Sequence, residues 1–283
     1  MLTSDDAAAE TWGVTASTGR PFTHASIAGA HFRACRQSYR ELLGLAGIRT
    51  GMRVLDAGCC GGEFLPWLTA LTGPGGRVSA IDLDPEHVAR AGARVAGWDL
   101  PCPVDLRQGS ITGLPYADDT FDAVWCSNTV ELLTDDQLRV ALAELRRVTR
   151  PGGLITIKDV DAACFAVRPG DPHLFADLFR AAGATPGYAQ QVLRARDLYR
   201  WMREAGIGAV RQRTVLIEHF APFTPDVRAY YAPAFAELAG QATGLGLPAA
   251  DWAPLLDPGH PQNPFHHPDG YISEGNVLAI GTA

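Results

Sequence analysis

The stretch VLDAGCCGG, residues 54–62, sets Asp56, Gly58, Cys60 and Gly62 at alternate positions. An acid that closes an apolar run and opens a glycine turn suits a backbone that must come close to a ligand. Glycine permits that approach because it has no Cβ, and the helix that follows offers unpaired N–H groups. Twenty residues beyond Gly62, Asp82 sits in the next run, AIDLD. A carboxylate there can accept charge-assisted hydrogen bonds from two hydroxyls. Three other readings of the turn fail. A dinucleotide fingerprint needs glycine where the chain has Cys60 and Glu63. A P-loop needs a Lys-Ser/Thr pair that is missing here, and QGSITG has Gln108 where a nucleophile elbow needs glycine.

The spacing resembles the first motif, VLDxGxGxG, of the class I S-adenosylmethionine-dependent methyltransferases, and within them the small-molecule, methyltransferase-11-like branch. The resemblance continues through Asp82, through QGSITGLPYADDTFDAVWCSNTVELL and through LRRVTRPGGLITIKD, covering about residues 50–160. It implies S-adenosylmethionine as cofactor. Asp56, Gly58, Cys60 and Gly62 would meet its amino-acid part, and Asp82 would accept from both ribose hydroxyls. Leu83 would flank the adenine, Ser110 and Ile111 would bracket its amino edge, and Asn128 would lie beside the methyl donor. The family often has Asp at the Ser110 position; a serine hydroxyl accepts from the amine more weakly. Cys60 stands at the family's middle glycine, where a small residue serves if its φ is negative.

Methyl transfer asks mainly for alignment in a dry site, and a base only when the acceptor must lose a proton. Glu131, Asp159 and His173 are candidates for that base, with Asp161, His31 and His219 as similar cases near strand ends. The place after the fourth strand reads SNTVEL, without the Asn/Asp-Pro-Pro-aromatic motif typical of methylation at nucleobase amines. The stretches HLFADLFRAAG and FTPDVRAYYAPAFAEL could close over a small, partly apolar molecule. The expected function is methyl transfer to oxygen or carbon of such a molecule. The alternative is an adenosylmethionine-binding protein with a non-methylating role, as sensor, scaffold, cyclase or decarboxylase.

Positioning these residues requires alternating strands and helices. RVLDAG, RVSAIDLD, VDLRQGS, FDAVWCSN and GLITIKDV read as strands, separated by the helical patterns EFLPWLTAL, PEHVARAGARVAGW and DDQLRVALAELRRVTR. VRQRTVLIEHF and NVLAIGT add two more strands after the helix LYRWMREAG. The expectation is a Rossmann-like, doubly wound, mostly parallel seven-stranded α/β sheet. Residues 1–49 are read as an N-terminal helical segment closing over the cofactor, and residues 50–283 as the methyltransferase domain. Helical cap insertions are expected at about 162–196 and 221–270.

Composition narrows the partners. The net charge of −7 supplies no general basic face for phosphate, so nucleic acid is not an expected partner. No run reaches the roughly 18 apolar residues of a membrane span, and the start shows no secretory pattern. Six cysteines without CxxC spacing suggest neither a disulfide framework nor a zinc site. His260, His266, His267 and Asp269 cluster in a proline-rich loop whose spacing matches no standard metal site. The expectation is a cytoplasmic enzyme without metal, acting on a small-molecule acceptor, with homo-oligomerisation left open.

Overall fold

Seven strands form one sheet in the order β3-β2-β1-β4-β5-β7-β6. They are β1 (Arg53–Ala57), β2 (Arg77–Asp82), β3 (Val104–Gln108), β4 (Phe121–Ser127), β5 (Thr149–Arg168), β6 (Gly208–Phe220) and β7 (Tyr271–Thr282). The computed structural model describes residues 25–184 and 187–283, so the reading of residues 1–24 lies outside the described part. β1 to β5 pair in parallel, and β7 runs antiparallel to both β5 and β6. The strand order reverses between β1 and β4, and ligands of open α/β sheets bind at the carboxyl ends there.

The central strands are apolar on both faces because helices cover both. Val54, Val78 and Trp125 face one hydrophobic cluster, and Leu55, Ile81 and Val124 the other. The first cluster is built with α1 (Ala25–Ala34), α2 (Arg36–Gly44) and α3 (Leu65–Thr72). The second takes Leu138, Leu142 and Leu145 from α5 (Asp135–Val148). Local chemistry starts the helices where it should. Thr134 and Gln137 form a reciprocal capping box for α5, and Asp84 caps α4 (Pro85–Ala96), where Pro85 needs no N–H partner.

Two boundaries differ from the sequence reading. α3 begins at Leu65 rather than Glu63, because Leu65 N–H turns back to the Gly62 carbonyl while Glu63 reaches sideways to Arg94. β5 runs on to Arg168, paired with β7 past an irregularity between Asp161 and Ala166. Residues 162–168 thus belong to the sheet. The rest of that stretch holds α6 (Leu174–Ala182) and α7 (Tyr188–Leu193), and α8 (Leu198–Glu204) leads into β6. After β6, α9 (Pro225–Gly244) and α10 (Ala249–Leu256) supply Phe235 and Trp252, which meet Phe175 of α6 edge-on or tilted. α9 also packs on α1, with Tyr230 stacked on His31 at 4.1 Å and Asp226 paired to Arg33.

Candidate cofactor and acceptor site

The turn after β1 is held from below by Asp82. Its Oδ2 accepts from Cys60 N–H at 2.8 Å, and its Oδ1 accepts from Asp84 N–H at 3.0 Å and lies 3.1 Å from His87 Nδ1. A carboxylate has about four lone-pair positions, so three protein contacts leave roughly one for a ligand. Asp82 therefore has less accepting capacity to spare for ribose hydroxyls than a free carboxylate. The cause is the turn itself, which aims its amide at the carboxylate.

Cys60 also departs from expectation. Its φ is +47°, in the left-handed region that suits glycine, not the negative value on which its fitness was argued. Gly58 and Gly62 share the sign, at +83° and +79°, so three of the turn's residues bend the same way. At Gly58 no side chain fits: a Cβ would lie 2.2 Å from Thr129 Oγ1. Cys60 carries its thiol toward His87, whose imidazole is also flanked by Asp84 at 3.7 Å. Burial alone would lower the His87 pKa, but hydrogen bonding to Asp82 and to Cys60 raises it to about 11.

Asp56 is the member of the turn that the protein leaves unsatisfied. It is 1% exposed, and its Oδ2 has no hydrogen-bond partner among the described residues. Burial, then the nearby Asp82 and Glu63, push its pKa well above the usual carboxylate range. Leu83 is half-buried after β2, and Ile111 is buried after β3. Ser110 spends its hydroxyl on Thr112, 2.7 Å away and also donating its N–H.

Asn128 joins this half of the site to a second one. Its φ is +51°, which Asn tolerates, and its side chain accepts from Lys158 Nζ at 2.6 Å and donates to Tyr39 at 3.2 Å. Lys158 is fully buried in β5, with its ammonium 3.7 Å from the centre of the Tyr39 ring. Burial lowers its pKa to about 8, against the opposing pull of Glu274, Cys35, Glu131 and Asp159. Tyr39 Oη lies 3.1 Å from His31 Nε2, which in turn lies 3.0 Å from both carboxylate oxygens of Glu274. Burial would raise Glu274, but His31 and Lys158 hold it at about 2.

The base candidates divide. Glu131 and Asp159 are buried together near Lys158, both raised by burial, and Asp159 further by Glu131. Asp159 accepts from Thr129 N–H at 3.1 Å, whereas Glu131 Oε2 has no partner among the described residues. His173 is exposed at the start of α6, where its hydrogen bonds serve its own turn, so the structure does not bring it to the site. Asp161 is committed to an ion pair with Arg196. In the loop of residues 257–270, His260 and His267 accept from Gln262 and Asp269 N–H groups and so shape turns.

Comparison with known proteins matches the same segment. The family model described as "Methyltransferase domain" covers residues 54–153, from the start of the glycine turn into β5. Residues 54–153 thus match a methyltransferase domain, in line with the family that the sequence resembles. It is 37% identical over 123 residues to a malonyl-[acyl-carrier protein] O-methyltransferase of Erwinia billingiae, covering 43% of this chain and 44% of that one. It is 30% identical over 168 residues to the 27-O-demethylrifamycin SV methyltransferase of Amycolatopsis mediterranei, covering 59% and 58%. The chain therefore spans about half the length of the curated relatives it matches. A methyltransferase crystal structure from Bacillus halodurans shares the fold at a TM-score of 0.56 and 15% identity, over 87% of this chain and 98% of that one. Among the described residues, no helix is long and apolar enough to cross a membrane.

Residue spacing does not disclose the cluster of Tyr39, Lys158 and Glu274. One signal was available. A lysine inside LITIKDV and a glutamate inside YISEGNVLAI are charges in otherwise apolar strands, and such charges are buried only with partners.

Proposed function

We propose that the protein transfers a methyl group from S-adenosylmethionine to an oxygen of a small, partly apolar molecule in a site closed to water. The observation that carries this is a pair of buried, unpartnered carboxylate oxygens at the ends of adjacent strands. They are Asp56 Oδ2 near the end of β1 and Glu131 Oε2 just after β4. A buried carboxylate oxygen without a donor is costly, and a bound ligand removes the cost.

The residues fit the cofactor. Asp56 offers a carboxylate to an ammonium beside a turn whose glycines admit close approach, and Asp82 keeps a lone-pair position for one ribose hydroxyl. Leu83 and Ile111 offer apolar surface to the adenine, while Asn128 lies where the two halves meet. When bound, the cofactor supplies a methyl group activated by its sulfonium. Glu131 takes the acceptor's proton; its raised pKa makes it a better base than an exposed carboxylate. Lys158 and Tyr39 hold the surrounding charge in place and exclude water. Oxygen is favoured over carbon because the two relatives above are both named for O-methylation.

The test is incubation with methyl-labelled S-adenosylmethionine and a panel of malonyl thioesters and polyketide alcohols, with label counted in the extracted product. Transfer to a panel member is the expected result. Binding of S-adenosylhomocysteine without transfer to any acceptor would favour a non-methylating role, and absence of binding would sink the proposal.

A further inference from the structure

Three ligating side chains converge away from the turn. His31 and Cys35 are four residues apart, and Cys35 N–H donates to the His31 carbonyl at 3.0 Å, so the chain is helical between them and both side chains emerge on one face. Glu274 reaches them from β7, an element 239 residues further along than Cys35. His31 Nε2 lies 3.0 Å from each Glu274 oxygen, and Cys35 Sγ lies 3.5 Å from Oε1. All three ligand atoms lie within 4.8 Å of one another, and all three residues are buried.

We propose that His31, Cys35 and Glu274 form a three-ligand zinc site. Zinc bonds of about 2.0–2.3 Å in a tetrahedron separate neighbouring ligand atoms by roughly 3.3–3.8 Å. The thiol–carboxylate distance already falls in that range, the imidazole–carboxylate distance lies just below it, and the imidazole and thiol lie within 4.8 Å of each other. Thiolate, imidazole and carboxylate together suit zinc, whereas magnesium and calcium take oxygen ligands. The two anionic ligands neutralise the ion, which makes a buried dication tolerable.

A second observation points to something bound there. Asn276, fully buried, donates through Nδ2 to Glu274 Oε1 at 2.8 Å, orienting the carboxylate as an outer partner of a metal ligand does. The Oδ1 of the same amide has no partner among the described residues. A water or hydroxyl on the fourth zinc position would donate to it. The hydroxyls of Tyr39, 3.1 Å from His31 Nε2, and Tyr231, 3.3 Å from Cys35 Sγ, flank the same space. The nearby ammonium of Lys158 is set against the ring of Tyr39 and hydrogen-bonded to Asn128. Zinc here would tie α1 to β7.

This proposal is independent of methyl transfer, and zinc alone tests it. The full chain is dialysed free of metal, then titrated with zinc chloride against a competing chelator while the bound metal is counted. About one zinc per chain is expected, with affinity lowered at least a hundredfold in Cys35→Ser and in Glu274→Gln. Cobalt replacing zinc in the unaltered chain should give thiolate-to-cobalt charge-transfer absorption. That reading survives even if a variant fails to fold. A folded wild-type chain that binds no zinc, cobalt bound without the thiolate band, or Cys35→Ser with unchanged zinc affinity would each overturn the proposal.

Discussion

The two halves of the site are assembled in opposite ways. The cofactor half is local: Asp56, Gly58, Cys60 and Gly62 lie within seven residues, and Asp82 and His87 follow on the next strand and helix. The proposed acceptor half draws Tyr39, Glu131 and Lys158 from across the chain. A local turn is fixed by backbone geometry, so its ligand can be read from residue spacing. A long-range cluster is fixed only by packing, so its members become neighbours only in the folded chain. Damage should divide along the same line.

Glu131→Gln should give the largest effect, a fall in turnover of at least about a hundredfold once an acceptor is in hand. Its affinity for S-adenosylhomocysteine should be unchanged by calorimetry; a matching fall in affinity would mean the halves are not separable. Asp82→Ala should do the converse. A charged hydrogen bond is worth about 1.5–3 kcal/mol, so cofactor affinity should drop tenfold or more. Stability should fall as well, because the Cys60 and Asp84 amides lose their acceptor.

Within the turn, neighbouring positions should respond with opposite signs. Gly58→Ala would place a Cβ on Thr129, whose Oγ1 is already held by the Ser127 carbonyl, and it would strain a φ of +83°. A loss of more than about 2 kcal/mol is expected in urea unfolding. Cys60→Gly should instead stabilise by about 1 kcal/mol, since left-handed geometry costs a side-chain-bearing residue roughly that much. Cofactor affinity should stay within about threefold. A destabilised glycine variant would show that the thiol's contact with His87 outweighs the strain.

The last test concerns pH. His87 holds its proton up to about 11 in the folded chain, above its ordinary value of 6.5. The stabilisation is therefore complete below pH 6.5 and is lost as pH rises toward the folded value. Thermal melts of the wild type should decline across pH 7–10 (about one step per unit), and His87→Gln should flatten that slope. An identical slope in the variant would assign the dependence to other groups.

What was legible follows from these physical differences. The β1 turn, the alternation of strands and helices and the Asp82 position are written in nearby residues. The sign of φ at Cys60 is not, because a cysteine in that conformation looks like any other in sequence. Asp82's partners were hidden for a related reason, since they depend on how the turn's amides point. Lys158 and Glu274 sit in otherwise apolar strands, but their partners come from distant elements, so spacing alone does not pair them.

The placement of β7 has a consequence for how the molecule comes into being. Among the described residues β6 pairs with no strand except β7, and β7 lies between β6 and β5. During synthesis β6 therefore emerges some fifty residues before its neighbour exists, with both edges unpaired. The parallel core from β1 to β5 needs no such wait. Because pairing at long sequence separation is slow, the acceptor side is the last to close. A nascent chain halted before residue 271 would carry a formed cofactor turn above an open sheet edge, the species most exposed to aggregation and to chaperones.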